Sequence, residues 1–178
     1  MAAQRRTARN GARVIKVLIS SCLLGEPVRY HGGDALCANE IIDRWKAEGR
    51  LVPLCPETAA GLPVPRPPAE IVGGDGAAVL RGTAYVGDST GADVTAAFLR
   101  GARAVLNVAL GHGVRLAVLK DGSPSCGTTY IYDGSFRGQR DAGRGVTAAL
   151  LSDAGIRVFS DLQIAEAAAY VAELEAEE

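Results

Sequence analysis

The chain has 178 residues, 48% of them apolar and 22% charged, with a net charge of −1. Such a balance describes a soluble globular protein long enough to bury a core without staples, and it excludes a disordered chain. No run approaches the ~20 apolar residues of a membrane span. The near-zero charge argues against a nucleic-acid or membrane-surface partner, and four cysteines are too few for a disulfide scaffold.

Residues 1–13 contain four arginines and no acid. The apolar run that follows is interrupted by Lys16, too soon for a secretory signal. The expectation is a disordered basic extension, followed by one domain over residues 14–178. Val14–Ser20 reads as a strand covered on both faces. It runs into Ser21-Cys22 and a turn-rich stretch containing Arg29, Tyr30 and the Gly32-Gly33 pair. Ile41, Ile42 and Trp45 have helical spacing within Ala38–Ala47, and Gly49 is the stop signal. Leu51–Leu54 is the second strand, with Pro53 marking it as an edge.

Residues 55–68 carry five prolines, so a stiff, extended loop without a long regular element is expected. Ala78–Leu80 and Ala84–Val86 flank Arg81-Gly82 and read as a small hairpin. Asp93 or Thr95 can cap a helix running to about Gly111. Leu116–Leu119 is the third strand, Tyr130–Tyr132 a short one, Thr147–Ala154 a helix, Ile156–Phe159 the fourth strand, and residues from Asp161 to about Leu174 a final helix. This alternation predicts a single α/β domain: a Rossmann-like, three-layer architecture with a mostly parallel sheet.

Three cysteines share one setting. Cys22, Cys55 and Cys126 each follow an apolar run and are flanked by Gly, Pro or Ser. They therefore fall at the C-terminal ends of strands, where ligands bind in open α/β sheets. Thiolates suit iron–sulfur clusters, zinc or copper(I), whereas isolated buried cysteines act as small hydrophobes. No Cys-x-x-Cys pair supports a zinc finger. Cys37, on a probable helix start, is a bystander. His31 and His112 have no evident partner and are not assigned as metal ligands. Glu57, just past Cys55-Pro56, is either a proton-transfer group or an exposed loop carboxylate. Ser123 and Ser125 bracket Pro124 before Cys126, so their hydroxyls either reach a ligand or satisfy the turn. Arg66 and Glu70 either pair or grip a ligand, and Arg29 and Tyr30 are candidates of the same kind. Neither G-x-G-x-x-G after a strand nor G-x-x-x-x-G-K-[ST] occurs, so nucleotide binding by those routes is unsupported.

Taken together, Ser21-Cys22-Leu-Leu-Gly25 with Arg29-Tyr30, Cys55-Pro56-Glu57, Pro65-Arg66-Pro67-Pro68-Ala69-Glu70-Ile71 and Ser123-Pro124-Ser125-Cys126-Gly127 with Tyr132-Asp133-Gly134 resemble the thiouracil desulfurase family over about Val14 to Phe159. The resemblance implies a cytoplasmic, non-redox desulfidase that converts a thiolated pyrimidine to its oxo form and releases sulfide. It implies a 4Fe–4S cluster on Cys22, Cys55 and Cys126, with one iron lacking a protein ligand and acting as a Lewis acid. Glu57 would be the proton-transfer group, and Ser123 or Ser125 would hold the substrate. Arg29, Tyr30, Arg66 and Glu70 would contact it. Many members carry a further cysteine where Val28 stands here, which leaves the three-ligand set intact. Some relatives have an extra C-terminal domain, which the resemblance does not extend to this chain. The alternatives are desulfuration of another thiolated nucleoside or small thio-compound, and a non-catalytic zinc- or cluster-binding module. The oligomeric state is open.

Overall fold

The computed structural model describes residues 13–178. Apart from Arg13, the expected basic extension lies outside the described residues. In chain order the elements are β1 (Val17–Ser20), α1 (Glu40–Ala47), β2 (Leu51–Leu54), α2 (Pro56–Ala59), β3 (Ala69–Val72), α3 (Gly76–Leu80), β4 (Tyr85–Asp88) and α4 (Thr95–Gly111). Then come β5 (Leu116–Leu119), β6 (Tyr130–Tyr132), β7 (Arg140–Ala142), α5 (Val146–Asp153), β8 (Arg157–Ser160) and α6 (Ile164–Ala176).

The central sheet has four parallel strands in the order β2-β1-β5-β8. Strand periodicity sorts its side chains onto two faces. Val17, Ile19, Leu116 and Val118 pack with Ile42 and Trp45 of α1 and with Ile164, Val171 and Leu174 of α6. Leu18, Ala117 and Leu119 point the other way, onto Val105 and Ala109 of α4 and Ala148 and Leu151 of α5. The result is the expected three-layer arrangement. β1 and β5 are buried along their whole length, which is why both read as near-continuous apolar runs. β2 is an edge strand, as Pro53 requires, since a proline cannot donate to a ladder.

A third core cluster lies beyond the sheet. Ile71 of β3 and Val86 of β4 pack there with Val79 of α3, Phe98 and Ala102 of α4, and Ile131 of β6. Here two expectations fail. Residues 76–80 form α3, and β4 pairs antiparallel with β3. The Asp75 side chain accepts from the Ala78 amide at 3.0 Å, and this cap starts a helix where the short apolar run reads as a strand. The Pro-rich stretch, in turn, contains α2, with Pro56 in its first turn. Proline lacks only an amide that the first turn leaves unpaired, so it begins this helix without loss. The β6–β7 hairpin has no counterpart in the sequence reading of Arg140–Ala142. Neither Asp93 nor Thr95 is the N-cap of α4, which is Val94; Asp93 Oδ1 accepts from the Thr95 amide at 2.9 Å just ahead of the helix.

α2 carries Glu57, has Cys55 as its N-cap residue and lies against α4. A Cβ on Gly101 would come within 2.1 Å of the Pro56 carbonyl oxygen and 3.3 Å of the Ala60 Cβ. Only a residue without a side chain permits that approach. Gly101→Ala is therefore expected to displace the 55–57 backbone and to cost about 1–3 kcal/mol, the range for overpacking a close contact. Urea denaturation checks the loss; an unchanged midpoint would show that the helices separate freely.

Candidate active site

The strands that carry the cysteines end in step. Ser20 of β1 pairs with Leu54 of β2, and Ile19 of β1 pairs with Val118 of β5. Cys22 follows β1 in a 3-10 turn over Ser21–Leu24. Cys55 is the N-cap residue of α2, directly after β2, and Cys126 ends the loop after β5. All three line a single cavity of about 460 Å³, a size suited to a small ligand. The connection to β2 lies on one face of the sheet and α4, which returns the chain to β5, on the other. The cavity therefore sits at a topological switch point.

Cys22 and Cys126 are buried. Burial, and then the neighbouring Cys55, push the Cys22 thiol up to about 11. Burial also raises Cys126 well above the ordinary thiol value; the hydrogen-bonded Ser20 hydroxyl opposes this, while Cys55, Cys22 and Glu57 add to the rise. Three thiols gathered this closely repel one another once ionised, and a cationic ligand shared among them removes that penalty. Among the described residues no three His, Cys, Asp or Glu side chains are grouped closely enough to hold one metal ion. A tetrahedral zinc site needs sulfurs only ~4 Å apart, from a Zn–S bond of ~2.3 Å. Soft thiolate donors around one cavity suit an iron–sulfur cluster, whose irons each take a different thiolate. Cys37 packs on the first core cluster and is not part of the cavity wall.

Glu57 lines the cavity and is held from two sides. Arg66 Nε donates to its Oε2 at 2.7 Å and Ser125 Oγ to its Oε1 at 3.0 Å. The Arg66–Glu57 ion pair is 7% and 14% exposed on the two side chains, so the carboxylate is not a solvated loop group. Arg66 also donates to the carbonyls of Pro63 at 3.1 Å and Val28 at 2.9 Å. Its fork thus joins the Pro-rich loop, the Val28–Tyr30 segment and the catalytic candidate. The partner of Arg66 is Glu57 and not Glu70. Glu70 instead accepts from the amides of Gly134 at 2.9 Å and Phe136 at 3.1 Å.

Ser123 and Ser125 differ. Ser123 Oγ accepts from the amides of Ser125 and Cys126 at 3.1 and 3.2 Å, shaping the turn that presents Cys126, and it lines the cavity. Ser125 is 1% exposed and reaches the cavity only through Glu57. Arg29 and Tyr30 are on the wall.

The sequence reading missed several wall residues, namely Ser20, Ser21, Lys120, Asp121, Tyr130, Tyr132 and Phe136. Ser20 ends β1, and Ser21 and Lys120-Asp121 immediately follow strands, so the logic that selected the cysteines could have found them. Lys120 Nζ pairs with Asp161 Oδ2 at 3.0 Å. Asp121 organises the loop to Cys126. It accepts from the amides of Gly122, Thr128 and Thr129 and from the Thr129 hydroxyl.

The family model for 2-thiouracil desulfurase matches residues 17–163. The chain belongs to the 2-thiouracil desulfurase family. Within the range of similar proteins, YbbK of Bacillus subtilis (strain 168), an uncharacterized protein, is 45% identical over 148 residues, covering 83% of this chain and 97% of YbbK. The solved structure of TudS, a 4Fe-4S-dependent thiouracil desulfidase, is 46% identical with a TM-score of 0.81, covering 89% of this chain and 98% of TudS. The match at that level also bears out the α/β fold class. All three cysteines and Glu57 fall inside the segment that the 2-thiouracil desulfurase model spans.

Asp121 offers a test of how the Cys126 loop is held. Burial alone would raise its carboxyl, but the Thr129 hydroxyl and the amides of Thr128, Thr129 and Tyr130 hold it below the usual carboxylate range. A carboxyl depressed on folding contributes stability that is complete above its unfolded value of about 3.9 and disappears as pH falls through the folded value. Asp121→Asn is expected to lose about 2 kcal/mol or more at neutral pH and to show a flatter stability profile below about pH 4. Denaturation midpoints across that window check both.

Proposed function

We propose that this protein is a 4Fe–4S-dependent desulfidase that hydrolyses a small thiolated pyrimidine, thiouracil to uracil, with release of sulfide. The carrying observation is the convergence of three strand-end cysteines on one cavity that also holds an anchored carboxylate. Membership of the 2-thiouracil desulfurase family and similarity to TudS support it. Cys22, Cys55 and Cys126 would hold the cluster, leaving one iron without a protein ligand. When bound, the cluster supplies Lewis acidity toward the thiocarbonyl sulfur.

The chain's own groups do the proton work. Water adds to the thiocarbonyl carbon and the carbon–sulfur bond breaks, so one oxygen replaces one sulfur with no change of redox state. Glu57 takes the proton from water and returns it to the departing sulfur. Arg66 and Ser125 fix its two oxygens, which sets Arg66 as an orienting group for Glu57 more than a grip on the substrate. Ser123, whose oxygen already accepts two amides, keeps its own proton to donate to the substrate. Arg29 and Tyr30 contact the ring from the wall.

Residues 14–178 act as one domain in this reading, in a cytoplasm whose reducing milieu keeps the thiols available. No helix among the described residues is long and apolar enough to cross a membrane. A cavity of about 460 Å³ suits a free base or nucleoside rather than an RNA chain, which normally needs a basic face.

Anaerobic iron and sulfide reconstitution, followed by assays of uracil and sulfide from 2- and 4-thiouracil, tests the reading. The wild type should take up about four irons and release both products. Cys126→Ala should do neither. Glu57→Gln should keep its iron and lose about 10²–10⁴-fold in kcat, the usual contribution of a general acid–base group. Uptake of zinc in place of iron, with thiouracil untouched, would overturn the enzyme reading.

The raised thiols give this loading a pH dependence. A thiol whose value lies near 11, like that of Cys22, is protonated at neutral pH and must lose its proton to become a ligand. Iron loading is therefore expected to release protons and to be more complete at about pH 8.5 than at about pH 6.5, as read from iron content and cluster absorbance.

A further inference from the structure

Four aromatic rings line the cavity: Tyr30, Tyr130, Tyr132 and Phe136. Three have partners. Tyr30 stands edge-on to His31 with centroids 4.9 Å apart. Tyr130 carries the Arg140 guanidinium 4.4 Å from its centroid and meets Tyr132 edge-on at 6.1 Å. Among the described residues Phe136 has neither an aromatic nor a cationic partner, and 40% of it remains exposed. An apolar ring left open on a cavity wall is a surface for a ligand ring.

Its backbone points the same way. Phe136 has φ of +57° and is the non-glycine residue with positive φ among the described residues. Bulky side chains rarely adopt that conformation, and it persists only where surrounding contacts impose it. Those contacts are on hand. Glu70 Oε2 accepts from the amides of Gly134 at 2.9 Å and Phe136 at 3.1 Å. Asp133 Oδ1 accepts from the Ser135 amide at 2.9 Å. Glu70 belongs to β3, beside Ile71 in the third core cluster. A half-buried carboxylate on β3 thus fixes the tip of the β6–β7 hairpin and the ring it bears.

We propose that Phe136 is the face on which the planar ring of the thiolated base rests, and that Glu70 is its positioning residue. This rests on the desulfidase reading above. Stacking on a ring face is tolerant of the pattern of hydrogen-bonding groups on the base, so this contact selects planar heteroaromatic thiocarbonyl compounds as a class and does not choose between sulfur positions. Glu70 lines the same cavity, and through its Oε2, which accepts from two loop amides, it holds the segment that carries the ring.

Steady-state kinetics of the reconstituted enzyme test the proposal. Phe136→Gly removes the ring and suits a positive φ, so its Tm should equal or exceed that of the wild type. Its KM for 2- and 4-thiouracil should rise about tenfold, within the range for loss of one base–aromatic stack, with kcat within about twofold. Phe136→Tyr should behave as the wild type. Glu70→Ala should raise KM similarly, and Glu70→Gln, which keeps an acceptor oxygen for both amides, should restore it. Wild-type turnover with an unchanged KM in Phe136→Gly overturns this inference and leaves the desulfidase reading standing. A wild type that loads its cluster and releases sulfide from neither thiouracil overturns both.

Discussion

The parallel register of β2, β1 and β5 is the constraint on which the site depends. In-register pairing of Val17–Ser20 with Leu51–Leu54, and of Val17–Ile19 with Leu116–Val118, brings three strands to their carboxyl ends at one level. Whatever follows each strand is then delivered to the same place. Slipping one strand by a residue would exchange its two faces and expose its apolar set. The packing of Ile19 and Val118 on one face and Leu18 and Ala117 on the other therefore enforces the convergence of cysteines that are far apart along the chain.

A second layer of contacts fixes a carboxylate beside the converging cysteines. Glu57 is placed by a short helix that begins at Pro56 and rests on Gly101 of α4. Its oxygens are taken up by Arg66 and Ser125. Arg66 comes from the Pro-rich loop and Ser125 from the Cys126 loop, so three separate segments meet at one carboxylate. Backbone approach is equally close behind Cys126. A Cβ on Gly145 would lie 2.5 Å from the Ser125 carbonyl, and the amides of Thr147 and Ala148 at the start of α5 donate to that oxygen.

The carboxylates around the cavity differ in their partners. Asp121 spends its acceptors on the amides and hydroxyl of its own loop and serves geometry. Glu70 spends one oxygen on the tip of the β6–β7 hairpin. Glu57 is bound by side chains and lines the cavity, as the proton-transfer role proposed for it requires.

Much was legible in the sequence because it is written in local pattern. The apolar runs of β1 and β5, the Pro53 edge and the helical spacing around Trp45 follow from periodicity and from what proline cannot do. Cysteines at strand exits could be singled out because a parallel sheet presents those positions together. Other features were decided only by tertiary contacts. The run Ala78–Leu80 is too short for its own periodicity to separate helix from strand, and the Asp75 cap settled it. The pairing of Arg66 with Glu57 rather than Glu70 depends on the path of the Pro-rich loop across the Val28–Tyr30 segment, a path no residue spacing encodes. The cavity-facing place of Phe136 likewise required β3 and the β6–β7 hairpin to be brought together. The sequence by itself determined which residues are candidates for the chemistry and where along the strands they stand. The tertiary structure decided which of them touch, because contacts between segments more than sixty residues apart, such as Ser125 with Glu57, exist only once the sheet has set its register.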